Sequence, residues 1–485
     1  MRDQLLLYIN GRRQAVSGSD CFLSLSDFLR LRLALPGTKI VCSEGDCGSC
    51  TVLIGRPQGD SFDYKPIDSC IQWMFQLDGT HVVTIEGLTG DECQTSPVQE
   101  AMIQCHGSQC GFCTPGFVVA MTGLLEQNDA LTDEDWRTGL TGNLCRCTGY
   151  VPIVDAGRSI DSATVQRLSD RFPAVAEEVL RELEASAGDS IQVQVTQAGR
   201  NRTFCSPTSL AEAVKFLATN PAAKVVAGAT DLGVQLNKGI IDPDQFLDLN
   251  RVNELCGSAV ESGEDGTAIL AGARTTWTEI GAIAAKSVPE FQNIVTIFGS
   301  PQIRHVGTIG GNIINASPIA DSLPFLFVCE AELELASAAG IRTVPITKFY
   351  RGYKQFDLQP GELLSRIRIP LPEPSDLLRL FKVSRRRDLD ISTFTAAIWM
   401  RLDGDKIADV RIAIGACGPT VIRARRTENF LRSQLFDEET MRAAGDVAVS
   451  EISPISDVRG SAAFRLQLTR NVLVKFYLEQ ALSAV

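Results

Sequence analysis

Three features of the sequence predict a multidomain α+β chain. Its 485 residues exceed what one hydrophobic core organises, so about three or four domains are expected. Two sets of closely spaced cysteines lie in the first third of the chain. The residue pattern also changes twice, from strand-like to helical at Ser96 and again after Pro370 and Pro372, where a further sheet-and-helix segment begins.

Residues 5–9 and 14–16 flank Asn10-Gly11-Arg12-Arg13, and Asn-Gly favours a tight hairpin because both residues accept positive φ. A helix is predicted over 25–33 behind Ser24 as its cap, with strands at 51–54 and 82–85. A helix crossing a small mixed sheet is the ferredoxin-like β-grasp arrangement, assigned to residues 1–88. From Ser96-Pro97 onward the signals are helix starts: Thr114-Pro115 repeats the device, Thr132-x-x-Asp135 is a third start and Tyr150 opens a fourth. These give a four-helix bundle over 89–160. Residues 161–195 are acidic and amphipathic, and read as a partly helical tether with a solvated face. A domain follows over 196–375, opening with a capping box at Ser209-x-x-Glu212. In the last domain, 376–485, alternating stretches at 396–402 and 410–414 are joined by Asp403-Gly404-Asp405-Lys406, and helices over 438–449 and 462–482 close the chain.

The first cysteine set reads I-V-C-S-E-G-D-C-G-S-C, with Cys42, Cys47 and Cys50 in C-x4-C-x2-C spacing and Cys70 beyond. This is the plant-type pattern for a [2Fe-2S] cluster. Gly45 and Gly48 let the loop curl close to the sulfurs and aim backbone N–H groups at them. Zinc prefers paired C-x2-C knuckles and fits this spacing poorly. The second set pairs Cys110 and Cys113 with Cys145 and Cys147. Alone it admits a four-thiolate zinc site; beside the first set it reads as a second iron–sulfur centre. The other seven cysteines, Cys21, Cys93, Cys105, Cys205, Cys256, Cys329 and Cys417, are scattered and expected as small buried hydrophobes.

A formal charge of -12 argues against nucleic acid or an anionic membrane surface as the main partner. The N-terminus is too weakly apolar for a signal core, and no window has the apolar length of a membrane span, so a cytoplasmic protein with reduced or iron-bound thiols is expected. K-V-V-A-G-A-T-D-L is a strand running into a glycine turn. Gly228 and Gly233 nearly fit a phosphate-binding loop but lack its lysine, and no G-x-G-x-x-G follows a strand. Residues 304–321 carry Gly307, Gly310 and Gly311, whose backbone could press free N–H groups against a pyrophosphate. On its own this segment reads as a strand-loop with structural glycines. The basic run at 385–387 reads as a solvated face.

Taken in this order, the two cysteine sets, V-V-A-G-A-T-D and G-G-N-I-I-N-A-S-P-I-A-D resemble the xanthine dehydrogenase family of molybdenum hydroxylases. The resemblance implies an FAD-binding domain of the PCMH/vanillyl-alcohol-oxidase type over 196–375 and a C-terminal flavoprotein domain. It places FAD along Val225, Val226, Ala227, Gly228, Ala229, Thr230, Asp231 and Leu232, and along Thr308, Ile309, Gly310, Gly311 and Asn312, with Phe298, Asp321, Leu364 and Lys382 as further matching positions. Tyr353 and Asp388 match positions where NAD approaches the flavin, and Gln109 matches one against the molybdopterin of a partner subunit. The implied activity is electron transfer. A molybdenum-cofactor large subunit hydroxylates xanthine or hypoxanthine, and two [2Fe-2S] clusters pass the electrons to FAD and then NAD, in a heterotetramer with two of each chain. No hydroxylating residue is expected on this chain. An equivalent subunit serving an aldehyde or N-heterocycle hydroxylase is the alternative, and a regulatory protein built on zinc modules is the reading from another class.

Overall fold

The computed structural model describes residues 1–89, 94–185, 188–197, 199–264 and 266–483. It divides into two compact units, residues 1–253 with 300–307, and residues 254–299 with 308–485.

In the first unit, strands β1 (Gln4–Ile9), β2 (Arg12–Ser17), β3 (Thr51–Gln58), β4 (Ser61–Asp68) and β5 (His81–Val83) form a mixed sheet in the order β2-β1-β5-β3-β4. The Asn10-Gly11 hairpin forms as predicted, with φ of 48° and 76° at its two turn residues. Helix α1 (Leu25–Leu31) follows Ser24, whose hydroxyl accepts from Asp27 N. Alternation along the strands decides what covers each face. Leu5, Leu7, Val52 and Ile54 pack with Leu25, Phe28 and Leu29 of α1, while Tyr8, Leu53 and Val83 pack on the other side with the helical domain. Burial on both faces makes this sheet a rigid support.

The helical domain contains α2 (Pro97–Gln104), α3 (Thr114–Gln127), α4 (Asp133–Gly139) and α5 (Val151–Ser159), the four predicted helices. Ser96 with Gln99, and Thr132 with Asp135, close reciprocal capping boxes. Thr114 is not a cap: Cys113 holds that position, and the Thr114 hydroxyl bonds Ser108 Oγ instead. The segment read as a solvated tether is packed. Its helix Pro173–Ala185 and the turn before it bury Leu168, Val175 and Val179 against the helical domain, and Glu178 accepts from Tyr8 Oη at 2.9 Å. A second sheet then begins at Ile191, in the order β6 (Ile191–Gln197), β7 (Arg200–Ser206), β9 (Gln245–Asp248), β8 (Lys224–Val226). β8 and β7 both run parallel to β9, and the helix Leu210–Thr219 connects β7 to β8.

The second unit holds a five-stranded antiparallel sheet built from Ser258–Gly263, Gly266–Gly272, Leu363–Pro370, Glu332–Ser337 and Gly340–Pro345, with helices Trp277–Ser287, Pro289–Ile297 and Leu323–Val328 sharing its core. A four-stranded sheet follows, including Phe394–Asp403 and Lys406–Gly415 around the predicted turn. Helices Glu438–Val449 and Ala462–Ser483 contribute Met441, Ala444, Leu473 and Phe476 to its core. Among the described residues no helix is long and apolar enough to cross a membrane.

Of the scattered cysteines, Cys21, Cys205, Cys329 and Cys417 are buried as expected, whereas Cys105 is half-buried and Cys256 exposed. Cys93 lies outside the described residues.

Candidate functional site

The first cysteine set converges. Cys42 hydrogen-bonds both Cys47 and Cys70, and Cys70 also bonds Cys50. These bonds, Cys47 first, pull the Cys42 thiol far below its ordinary value. Glu44 N donates to Cys42 Sγ at 3.4 Å, and backbone groups of Asp46 and Ser49 point at Cys42 and Cys47. The tight loop depends on Gly48. Its φ is +66°, and a Cβ there would lie 2.3 Å from Gly142 O. Asp68 sits behind Cys50, and burial first, then the neighbouring Cys42 charge, lifts its carboxyl to about 7.

The second set is built differently. Cys110 meets Cys147, and Cys113 meets Cys145, while Thr148 Oγ1 lies 3.1 Å from Cys145 Sγ. Cys145 is buried beside α3, but Cys110 and Cys147 are exposed. Gln109 is exposed next to them, as are the apolar side chains of Phe112, Leu144, Tyr150 and Val151. In the second set the sulfurs meet in two pairs, whereas in the first Cys42 and Cys70 link all four; among the described residues no group of three or more Cys, His, Asp or Glu side chains is placed to hold a single metal ion. Four thiols gathered in one place but not directed at a single point suit a dinuclear iron–sulfur centre better than a mononuclear ion needing all four on one point. The donor sets therefore fit the clusters expected of them.

The loop after β8 carries a different chemistry. Gln76 Nε2 and Asn250 Nδ2 donate to Ala227 O, and Gln72 Nε2 donates to Gly228 O, at 2.8–3.1 Å. Gly228 is pressed against the chain, since a Cβ there would lie 1.9 Å from Val306 O. Ala229 takes φ +58°. With their carbonyls held from behind, the backbone N–H groups of residues 227–232 donate no hydrogen bond among the described residues. A curved run of unengaged amides is the polar half of an anion cradle. The next helix, Leu232–Asn237, abuts the first cysteine site: Asn237 Nδ2 donates to Cys70 O at 2.8 Å and to Ser43 O at 3.0 Å.

The glycine segment in the second unit differs from its predicted form. It is a helix, Ile309–Asn315, capped by Thr308, and its leading amides are taken: Ile309 N by Thr275 O, Gly310 N by Ala273 O, Gly311 N by Thr308 Oγ1 and Asn312 N by Thr308 O. The free N–H groups expected at Gly307, Gly310 and Gly311 are thus absent, Gly307 N donating to Ile303 O at 2.7 Å, and unengaged amides lie instead at 227–232, where the residue pattern announced none. Asp321 and Lys382 form a buried 2.5 Å ion pair, with Ser392 Oγ on the other Asp321 oxygen and Asp390 O on Lys382. Leu364 is buried opposite Leu335, and Phe298 packs edge-on to Trp277. Tyr353 is exposed at a hairpin tip and Asp388 half-buried in a loop. Gln72, Gln76, Asn237 and Asn250 were not singled out by the sequence; the clue was polar residues inside the apolar run C-I-Q-W-M-F-Q.

Three family models match successive parts of the chain. Residues 84–158 match a [2Fe-2S] binding domain, 162–372 the FAD binding domain in molybdopterin dehydrogenase, and 379–480 the CO dehydrogenase flavoprotein C-terminal domain. Quinoline 2-oxidoreductase from Pseudomonas putida 86 has a chain that is 30% identical, with a TM-score of 0.53, covering 57% of this chain and 96% of that one. The chain belongs to the molybdenum hydroxylase family. Xanthine dehydrogenase 1 of Arabidopsis thaliana is 29% identical over 98% of this chain and 39% of the relative, and aldehyde oxidase 1 of Bos taurus is 31% identical over 98% and 39%. This molybdenum hydroxylase chain therefore spans about two-fifths of the length of these relatives.

Proposed function

We propose that this chain is the iron–sulfur and FAD subunit of a xanthine dehydrogenase, paired with a separate molybdenum-cofactor subunit in the cytoplasm, two of each chain per assembly. The observation that carries the electron-transfer reading is the adjacency within the first unit: two converging four-thiol sets and, against the first, a loop of unengaged amides. When bound, the clusters carry single electrons and the flavin collects them in pairs for NAD. Cys42, Cys47, Cys50 and Cys70 hold one cluster, and Cys110, Cys113, Cys145 and Cys147 the other. The backbone of residues 225–232 binds the flavin diphosphate. By the resemblance alone, Thr308, Ile309, Gly310, Gly311, Asn312, Phe298, Asp321, Leu364 and Lys382 are the second unit's candidate flavin positions, and Tyr353 and Asp388 its candidates for NAD. The exposed edge of the second set, with Phe112, Leu144 and Tyr150 around it, supplies the apolar centre of a docking face for the partner.

Reduction of the purified chain with dithionite should give two distinguishable one-electron paramagnetic signals and bleach a flavin spectrum. One signal, or zinc in place of iron, would end the reading. With its partner subunit the chain should oxidise xanthine, and alone it should oxidise NADH with an artificial acceptor but leave xanthine untouched. The similarity to aldehyde oxidase 1 and quinoline 2-oxidoreductase favours a second reading, in which the same subunit serves an aldehyde or N-heterocycle hydroxylase. Turnover of those substrates instead of xanthine by the two-subunit complex would select it.

A further inference from the structure

We propose that Asn143 and Gln302 are positioning residues, a buried amide clasp that fixes the loop carrying Cys47 against the loop carrying Cys145. Leu144 N donates to Cys47 O at 2.9 Å, so the two cysteine sets are one hydrogen bond apart along the backbone. Around that bond, Asn143 Nδ2 donates to Gly48 O at 2.9 Å and to Thr51 Oγ1 at 3.2 Å. Gln302 Nε2 in turn donates to Asn143 Oδ1 at 2.9 Å and to Thr51 Oγ1 at 3.3 Å. All three side chains are buried, Asn143 at 2%, Gln302 at 1% and Thr51 at 3% exposure.

Burying uncharged amides costs free energy that their hydrogen bonds barely return, so an apolar contact here would hold the fold as well. Gln302 makes the point sharply: its Oε1 is buried with no hydrogen-bond partner among the described residues, so its Nε2 bonds fix its direction. What the amides add is a defined distance between two ligand loops. Gln302 is also distant in sequence from both, and reaches them on the segment 300–307. Farther along that segment His305 Nδ1 contacts Pro66 O at 2.8 Å, and Val306 O lies against Gly228 of the amide loop. One strut therefore touches both cysteine loops and the proposed flavin loop.

The inference rests on the two-cluster reading. With a cluster on each cysteine set, a single electron would pass between them with no bond or proton exchanged, so the chain's contribution would be the fixed separation of the two cysteine loops. The test uses the full iron-loaded chain as wild type, Gln302→Leu and Asn143→Ala. In the reduced wild type the two paramagnetic signals should interact, seen as splitting and fast relaxation at low temperature. In Gln302→Leu, which matches the glutamine in bulk and removes the orphaned acceptor, iron content and both signals should persist while the splitting is lost. Exchange of the Leu144 amide should quicken roughly 10- to 100-fold in either variant. Intact splitting and unchanged Leu144 exchange in both variants would overturn the clasp. A wild-type chain with a single signal would sink the two-cluster reading and the clasp with it, a result distinguishable because it needs no variant.

Discussion

The two cysteine sites are made of the same four atoms, two of them buried in the first and two of them exposed in the second. Cys50 and Cys70 are each 2% exposed, inside a loop walled by β3, β4 and the helix Leu232–Asn237. Cys110 and Cys147 stand at the surface, each in a bend between helices. The first site is held by long-range contacts: Gly48 against Gly142, Cys70 against Asn237, Leu144 against Cys47. The second leans on local ones, among them Phe112 N on Cys110 and Thr148 on Cys145. A site in the interior can lie close to another cofactor of its own chain. A site at the edge is open to a different chain, the division an electron relay between two proteins needs.

Replacing one cysteine in each site should show this asymmetry most strongly. Cys70→Ser and Cys147→Ser should each remove about half the iron and one of the two paramagnetic signals. Only Cys70→Ser should also weaken flavin retention and lower the unfolding midpoint, because a first site without its iron no longer fixes the buried turn whose main-chain carbonyl accepts from Asn237 below the amide loop. Equal loss of flavin in the two variants, measured by absorbance after gel filtration, would break the contrast.

Which parts of this were legible follows the same line between local and distant. The Asn10-Gly11 hairpin, the Ser24, Ser96 and Thr132 caps and the cysteine spacings are codes written within a few residues, and each is found where the sequence put it. Long-range structure was not legible. The acidic segment reads as solvated because its few apolar residues, Leu168, Val175 and Val179, find partners only after folding. The pair Gly310-Gly311 disfavours a helix by propensity, yet Ala273 O, Thr275 O and the Thr308 hydroxyl occupy the amides of a first turn and override it. Gln302 and Asn143 stand 159 residues apart, and no local pattern announces that they meet.

Acid should separate the two domains next. Burial pushes the His81 imidazole down to about 3. Its Nε2 accepts from Gly11 N at 3.1 Å, so the proton sits on Nδ1, facing Tyr64 Oη at 2.6 Å. The unfolded chain binds a proton near pH 6.5 that the folded sheet refuses, so the stability His81 contributes is complete above that pH and is lost as pH falls toward 3. At pH 5 the loss is about 2 kcal/mol. The helical domain carries only the exposed His106 among its described residues. Denaturant titrations at pH 7 and pH 5 should show His81→Gln losing about 2 kcal/mol less than the wild type over that interval, a difference that cancels the titration of Asp68 and His305 common to both. Identical pH dependence would mean that other groups dominate.

The smallest contrast lies in the caps, one per site. Ser24 is 4% exposed; its hydroxyl accepts from Asp27 N at 3.1 Å and donates to Asp27 Oδ2 at 2.8 Å, at the start of the helix that leads into the first cysteine loop. Thr132 does the same for α4, ahead of Cys145, but in the open. A buried cap that loses its hydroxyl leaves an amide without water to replace it, whereas an exposed one is rehydrated. Ser24→Ala should therefore cost about 2 kcal/mol and Thr132→Ala about 1 kcal/mol. Near the unfolding midpoint of each variant, the signal of the domain that lost its cap should fade first. If both variants lose the Cys42-site signal first, the helical domain draws its stability from the sheet beneath it rather than from its own capped helices.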